Sequence, residues 1–235
     1  MTGSRRRYDC RVPQTSLPTD LGVLADRLFA AVLFDMDGTL IDSTPSVERS
    51  WRRWAQEFDV DLAGLIGKHG IPAAQIVPLL LPPEKVAEGG RRIEEIETAD
   101  TEGVTVLPGT LDALKSIGDR AAIATSCTRR LAEARILAAG FPAPPVVVTA
   151  DQTSKGKPDP APYLLAAERL GVDPADCLVV EDAPAGLVAG RAAGCATLAL
   201  TTTTPPQELA ADAVVGTLAD VRFVVDDDGV RVGPS

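Results

Sequence analysis

One apolar run, Ala30–Phe34, stands by itself and ends abruptly in the polar segment DMDGT. It reads as a short buried strand of a parallel sheet. No partner strand follows for a long way. Nothing between residues 46 and 103 reads as a strand. A helix is expected to start at Ser43 or Thr44 with Pro45 in its first turn, and Val47, Trp51, Trp54, Ala55 and Phe58 then share one apolar face. Further helical pieces are expected over Pro72–Leu81 and Glu84–Ala99. From Val104 the grammar changes. Apolar runs at Ala121–Ala124, Val146–Val148, Leu178–Val180 and Ala196–Leu200 alternate with helical stretches at Arg129–Ala139, Ala161–Leu170 and Ala183–Ala193. That alternation demands βαβ units and a parallel sheet covered on both faces. The chain must therefore be an α/β protein whose first strand is separated from the rest by an all-helical insert.

Composition agrees. Hydrophobic residues make up 45% of the chain but aromatics only 4%, so the core must be built from Ala, Val, Leu and Ile. The expected organisation is a flexible polar and basic tail over residues 1–22, an α/β core over 23–47 and 104–235, and a helical cap over 48–103. VRFVVDDDGVRV, from Val221, reads as two strands around an Asp-Gly turn.

The formal net charge of −10 argues against nucleic acid and anionic membranes as partners. No apolar run reaches the length of a membrane span, and the start of the chain lacks the apolar core of a signal peptide. The four cysteines, Cys10, Cys127, Cys177 and Cys195, form no CxxC pair and read as reduced thiols of a cytoplasmic protein. His69 is the only histidine, which rules out zinc sites of the HExxH kind and leaves a Ser-His-Asp triad possible only through that residue. The chemistry is expected to rest on carboxylates and a metal.

Asp35 and Asp37 stand directly after the first strand, followed by Gly38 and Thr39. Gly38 permits a sharp turn whose amides can face an anion. A hairpin turn fits poorly, because the flanks do not alternate, and a calcium loop fits poorly, because the glycine comes too early and a strand precedes it. Thr125 and Ser126 end a strand and could bind phosphate oxygens or simply cap the next helix. In KGKPDP, Lys157 suits a phosphate and nearby carboxylates, and composition alone does not separate it from Lys155. Glu181 and Asp182 follow another strand, where they could cap a helix or complete a magnesium site with Asp35.

DMDGT, the strand-end Thr125, KGKPDP and VVEDAPAG, in that order over roughly residues 27–221, resemble the haloacid dehalogenase superfamily, in its branch with a helical cap after the first motif. AVLFDMDGTLIDSTPSVERSWRRWA, His69-Gly70 and VEDAPAGLVAGRAAG are similar to its glycerol-phosphate and deoxysugar-phosphate phosphatases. Two departures stand out: Pro72 where that group tends to carry arginine, and Cys127 where glycine is usual.

The resemblance implies a Rossmann-like parallel sheet core beneath an inserted all-helical cap domain. It implies Asp35 as nucleophile, Asp37 as general acid/base, and Thr125, Ser126 and Lys157 as phosphate binders, with His69 reaching the substrate from the cap. Asp35, Asp182 and the carbonyl of Asp37 would hold Mg²⁺, supported by Glu181. The expected function is a Mg²⁺-dependent phosphatase of small sugar or polyol phosphates acting through an aspartyl phosphate, as a monomer or weak homo-oligomer. The competing enzyme is a phosphosugar mutase of the β-phosphoglucomutase kind. The competing class is a catalytically silent phosphometabolite-binding protein.

Overall fold

The computed structural model describes residues 20–61 and 72–235. Its centre is a six-stranded sheet. The strands, in chain order, are β1 (Ala31–Phe34), β4 (Ala121–Ala124), β5 (Val146–Val148), β6 (Cys177–Glu181), β7 (Ala196–Leu200) and β8 (Ala213–Val215). They lie side by side as β5-β4-β1-β6-β7-β8, every pair parallel. The short apolar runs thus become strands with both faces covered.

Because successive side chains point to opposite faces, each central strand feeds two separate cores. Val32, Phe34, Ile123, Leu178 and Val180 face one, filled by α4 (Thr110–Ile117), by Leu131 and Ala132 of α5 (Arg129–Ala139), and by the hairpin β9 (Val221–Asp226) with β10 (Gly229–Pro234). Ala31, Leu33, Ala122, Ala124 and Val179 face the other, beneath Tyr163, Ala166 and Ala167 of α6 (Ala161–Leu170) and Ala189 of α7 (Pro184–Ala192). Small side chains on this second face let α6 lie close to the sheet.

The hairpin departs from expectation in one detail. Gly229 pairs with Asp226, so Asp227 and Asp228 make the turn and the glycine is a strand residue. At the other end of the chain, Leu21 is already buried in the first core and a short 3₁₀ turn follows at Gly22–Leu24.

The regular elements of the insert's described residues are all helices: α1 (Thr44–Phe58), α2 (Ala73–Leu80) and α3 (Pro83–Ala99). α1 runs unbroken across residues 47 and 48. These helices share a core of their own, made by Trp54, Ala55, Val77, Leu81, Ile93 and Ile96. Trp54 is fully buried, stacks on Phe58 at 4.9 Å and donates its indole N–H to the Gly89 carbonyl at 2.9 Å. The chain enters and leaves the insert through a small antiparallel ribbon, β2 (Ile41–Asp42) against β3 (Thr105–Val106). No helix among the described residues is long and apolar enough to cross a membrane.

Candidate active site

The strand order reverses direction between β1 and β6. One half of the chain builds outward through β4 and β5, the other through β7 and β8. In doubly wound sheets the crevice for ligands opens at the carboxyl ends of the strands at this switch point. Asp35 follows β1 immediately, and Glu181 and Asp182 end and follow β6, so the sheet itself delivers the three carboxylates to that crevice. Their oxygens lie within 4.8 Å of one another, and all three residues are buried.

Lys157 holds this cluster. It comes from the loop between β5 and α6, is itself buried, and donates from Nζ to Asp35 Oδ1 and to Glu181 Oε1, the latter at 2.6 Å. Burial works against its charge, but Asp35 and Glu181 outweigh that and hold the ammonium pKa above its ordinary value. Lys155 sits at the surface beside Asp159 instead.

Glu181 has both oxygens engaged. Oε1 also accepts from the Tyr163 hydroxyl at 2.8 Å, and Oε2 accepts the backbone N–H groups of Asp182 and Ala183, both at 3.1 Å. Gly186, one turn into α7, leaves room for that carboxylate, since a Cβ there would meet Oε1 at 1.6 Å. The Glu181 carboxylate therefore ties down the chain entering α7 and anchors the lysine, and Asp35 and Asp182 are the acids here that could hold a metal. Burial pushes Asp35 well above the usual carboxylate range, with Lys157 pulling the other way. Asp182 is pushed up to about 7, first by burial and then by Glu181. Two hard oxygen donors that resist ionisation until more positive charge arrives suit a divalent cation.

The turn after β1 closes over Asp182. Leu40 and Ile41 N–H both return to the Met36 carbonyl, at 2.9 and 3.0 Å, and Gly38 N–H reaches the Ile41 carbonyl at 2.7 Å. These bonds use none of the Asp37 carbonyl. Thr39 Oγ1 donates to Asp182 Oδ1 at 2.9 Å, and Thr203 donates to Oδ2. Gly38 has φ +91°, and a Cβ there would lie 2.2 Å from Asp182 Oδ2. Gly38→Ala is therefore expected to cost more than ~1 kcal/mol of stability, since the new residue strains the backbone. It should also lower kcat roughly 100-fold or more by shifting Asp182. A kcat within a few-fold of wild type, measured beside the melting temperature, would contradict this account of the turn.

Asp37 points to a second group of partners. Its Oδ1 accepts from Ser43 Oγ at 2.6 Å and from Arg135 Nη1 at 2.9 Å, and its Oδ2 from Cys127 Sγ at 3.1 Å. Burial, then Asp37, pushes the Cys127 thiol well up, so it stays protonated and able to donate. Thr125 directly follows β4, buried, with its hydroxyl accepting Cys127 N–H at 3.1 Å, and Ser126 comes next, half-buried. The structure thus gathers Asp35, Asp37, Thr125, Ser126, Lys157, Glu181 and Asp182 at one end of the sheet. His69 lies outside the described residues.

Pro72 directly precedes α2 beside this same end. Gln75 Nε2 donates to the Lys157 carbonyl at 3.3 Å, and Gly156 faces the Pro72 ring. Tyr163, Thr203 and Arg135 carry no signal that sequence alone would notice. Arg135 in particular sits among the charged residues of an ordinary-looking helix.

Comparison with known proteins follows the same lines. A family model described as haloacid dehalogenase-like hydrolase matches residues 29–194. Hexitol phosphatase A of Escherichia coli is 45% identical over 72% of this chain and 81% of its own. Glycerol-1-phosphate phosphohydrolase 2 of Saccharomyces cerevisiae is 33% identical over 74% of this chain and 75% of its own. Among solved structures, a hydrolase from Pseudomonas syringae superposes with a TM-score of 0.73 at 25% identity, covering 81% of this chain and 95% of that one.

Proposed function

The chain belongs to the haloacid dehalogenase-like hydrolases, and from that premise we propose that it is a Mg²⁺-dependent phosphatase of small polyol or sugar phosphates. One observation carries the reading. A buried carboxylate, Asp35, stands at the switch point with a lysine on one oxygen and a second acid, Asp182, close by. That is a site for a dianionic group plus a cation. The hexitol and glycerol phosphates named for its relatives support the substrate class. The free thiols Cys127, Cys177 and Cys195 fit a reducing, cytoplasmic setting.

Asp35 attacks phosphorus, its Oδ forming a P–O bond as the bond to the substrate oxygen breaks. That oxygen leaves as an alkoxide and takes a proton from the Asp37 carboxyl. Asp37, now ionised, takes a proton from water, which attacks the aspartyl phosphate and returns Asp35 and inorganic phosphate. Lys157 shields Asp35 from Glu181 and offers charge to the phosphoryl oxygens. The Thr125 hydroxyl and Ser126 hold those oxygens from the β4 side. Asp35, Asp182 and the Asp37 carbonyl would hold Mg²⁺, which supplies charge neutralisation between the incoming dianion and the acids.

The test is phosphate release from hexitol, hexose and glycerol phosphates before and after treatment with EDTA. Turnover should vanish with the metal and return with added Mg²⁺. Full turnover after chelation would exclude the metal role. Binding of the same esters without phosphate release would favour a silent binding protein.

A further inference from the structure

Arg135 is a buried guanidinium with partners on three separate segments. It stands on α5. Nη1 donates to Asp37 Oδ1 at 2.9 Å and to Cys127 Sγ at 3.1 Å, while Nη2 donates to Glu97 Oε1 at 3.1 Å. Glu97 belongs to α3, in the helical insert, and is itself buried. One turn earlier on α3, Glu94 accepts from Thr128 Oγ1 at 2.6 Å, at the start of α5. The insert is therefore docked onto α5 at two points, and one of them passes straight through to Asp37.

A buried charge is expensive to keep, and removing it for apolar packing is often neutral or stabilising. Arg135 also leaves its Nε buried with no partner. Its orientation is thus set by the two carboxylates at the cost of its own hydrogen bonding. A planar fork can hold two acids at fixed angles, as a point charge cannot.

We propose that Arg135 is a positioning residue for the acid/base step. It fixes the Asp37 carboxylate and, through Glu97, makes that position depend on α3 being docked. The proposal rests on the reading of Asp37 as acid/base. It adds a link by which the insert sets the group that protonates the leaving oxygen.

The experiment compares a hexitol phosphate, whose alkoxide needs a proton, with nitrophenyl phosphate, whose phenolate does not. Steady-state rates on the first and the nitrophenolate burst on the second are measured for wild type, Arg135→Gln, Glu97→Gln, the double variant and Asp37→Asn. Arg135→Gln should lower kcat on the hexitol phosphate by roughly 30-fold or more, with KM changed less than about 3-fold and the burst rate nearly kept. Glu97→Gln should shift the same quantities in the same direction by about 3–10-fold, and the double variant should be no worse than Arg135→Gln. Equal losses on both esters, a change in KM alone, or additive losses in the double variant would overturn the proposal, since any of them describes a contact that only holds the insert in place. If Arg135→Gln does not fold, Arg135→Lys, which keeps the charge and loses the fork, must show the same split between esters, and wild-type behaviour on both overturns the proposal. Asp37→Asn separates the two levels. If it shows no split, the acid/base reading fails and takes this proposal with it. If it shows the split and Arg135→Gln and Arg135→Lys do not, only the positioning role fails.

Discussion

Asp35→Asn should leave no turnover of any phosphate ester, a loss on the order of 10⁴-fold or more, with no phosphate on the protein after rapid quench. An amide is nearly the same shape but cannot attack phosphorus. The melting temperature should not fall, and in the absence of metal it should hold or rise. Burial and the neighbouring Glu181 and Asp182 disfavour the charge that this change removes and together outweigh the opposing pull of Lys157, which keeps its bond to Glu181. Asp37→Asn should behave differently. It should give a burst of about one nitrophenolate per site and then stall, because the first step with a good leaving group needs no acid and the second step still needs a base. If both variants lose the burst, the division of labour between the two aspartates is wrong. If Asp35→Asn keeps turnover, the nucleophile is elsewhere.

The second large effect is on stability. Asp182 is pushed up to about 7, by burial first and by Glu181 next, and Asp35 is raised in the same direction. A carboxylate whose pKa is higher folded than unfolded binds its proton more tightly in the folded state. Its contribution is fully present below the unfolded value and is lost as pH rises through the folded one. Metal-free protein should therefore lose stability between about pH 4 and pH 7, by a few kcal/mol at most at ~1.4 kcal/mol per pKa unit. Lys157 stays charged throughout that window and does not change the sign. Mg²⁺ should reverse the loss at pH 8 and do little at pH 5, where the sites hold protons. Thermal melts at both pH values, with and without millimolar Mg²⁺, read this directly. A metal-free protein more stable at pH 8 than at pH 5 would refute it.

Much of the fold is legible because strands covered on both faces read as wholly apolar runs. Ala121–Ala124, Val146–Val148 and Ala196–Leu200 are strands with those very limits, and α5 and α6 match likewise, each closed by a glycine in the left-handed region. The two-residue strands β2 and β3 have no periodicity to read. α4 and β8 went unassigned because they are short and stabilised by what they pack against. In the site, acids directly after apolar strands announced themselves. Arg135 did not, because its neighbours Arg129 and Arg130 make any arginine there look like surface, and only the tertiary fold turns one of them inward. Gly186 lies inside VVEDAPAG, but its reason, a carboxylate brought over it by the bonds of Glu181 to the chain entering α7, shows only in the fold.

The ribbon of Ile41–Asp42 against Thr105–Val106 has a consequence for how such proteins diversify. Paired residues on adjacent antiparallel strands sit roughly 4.5–5.5 Å apart. The described helices between them, with their private core around Trp54, thus join the rest of the chain through two chain ends held as neighbours. To the sheet the insert is a cassette. Another piece of chain whose ends meet at the same spacing could be spliced there without disturbing a strand of the sheet. What such an exchange would forfeit is a thread that runs back from the cassette into the chemistry, Glu97 through Arg135 to Asp37. A replacement that brings no acid to that guanidinium would be expected to fold and bind phosphate, yet strip poor leaving groups slowly.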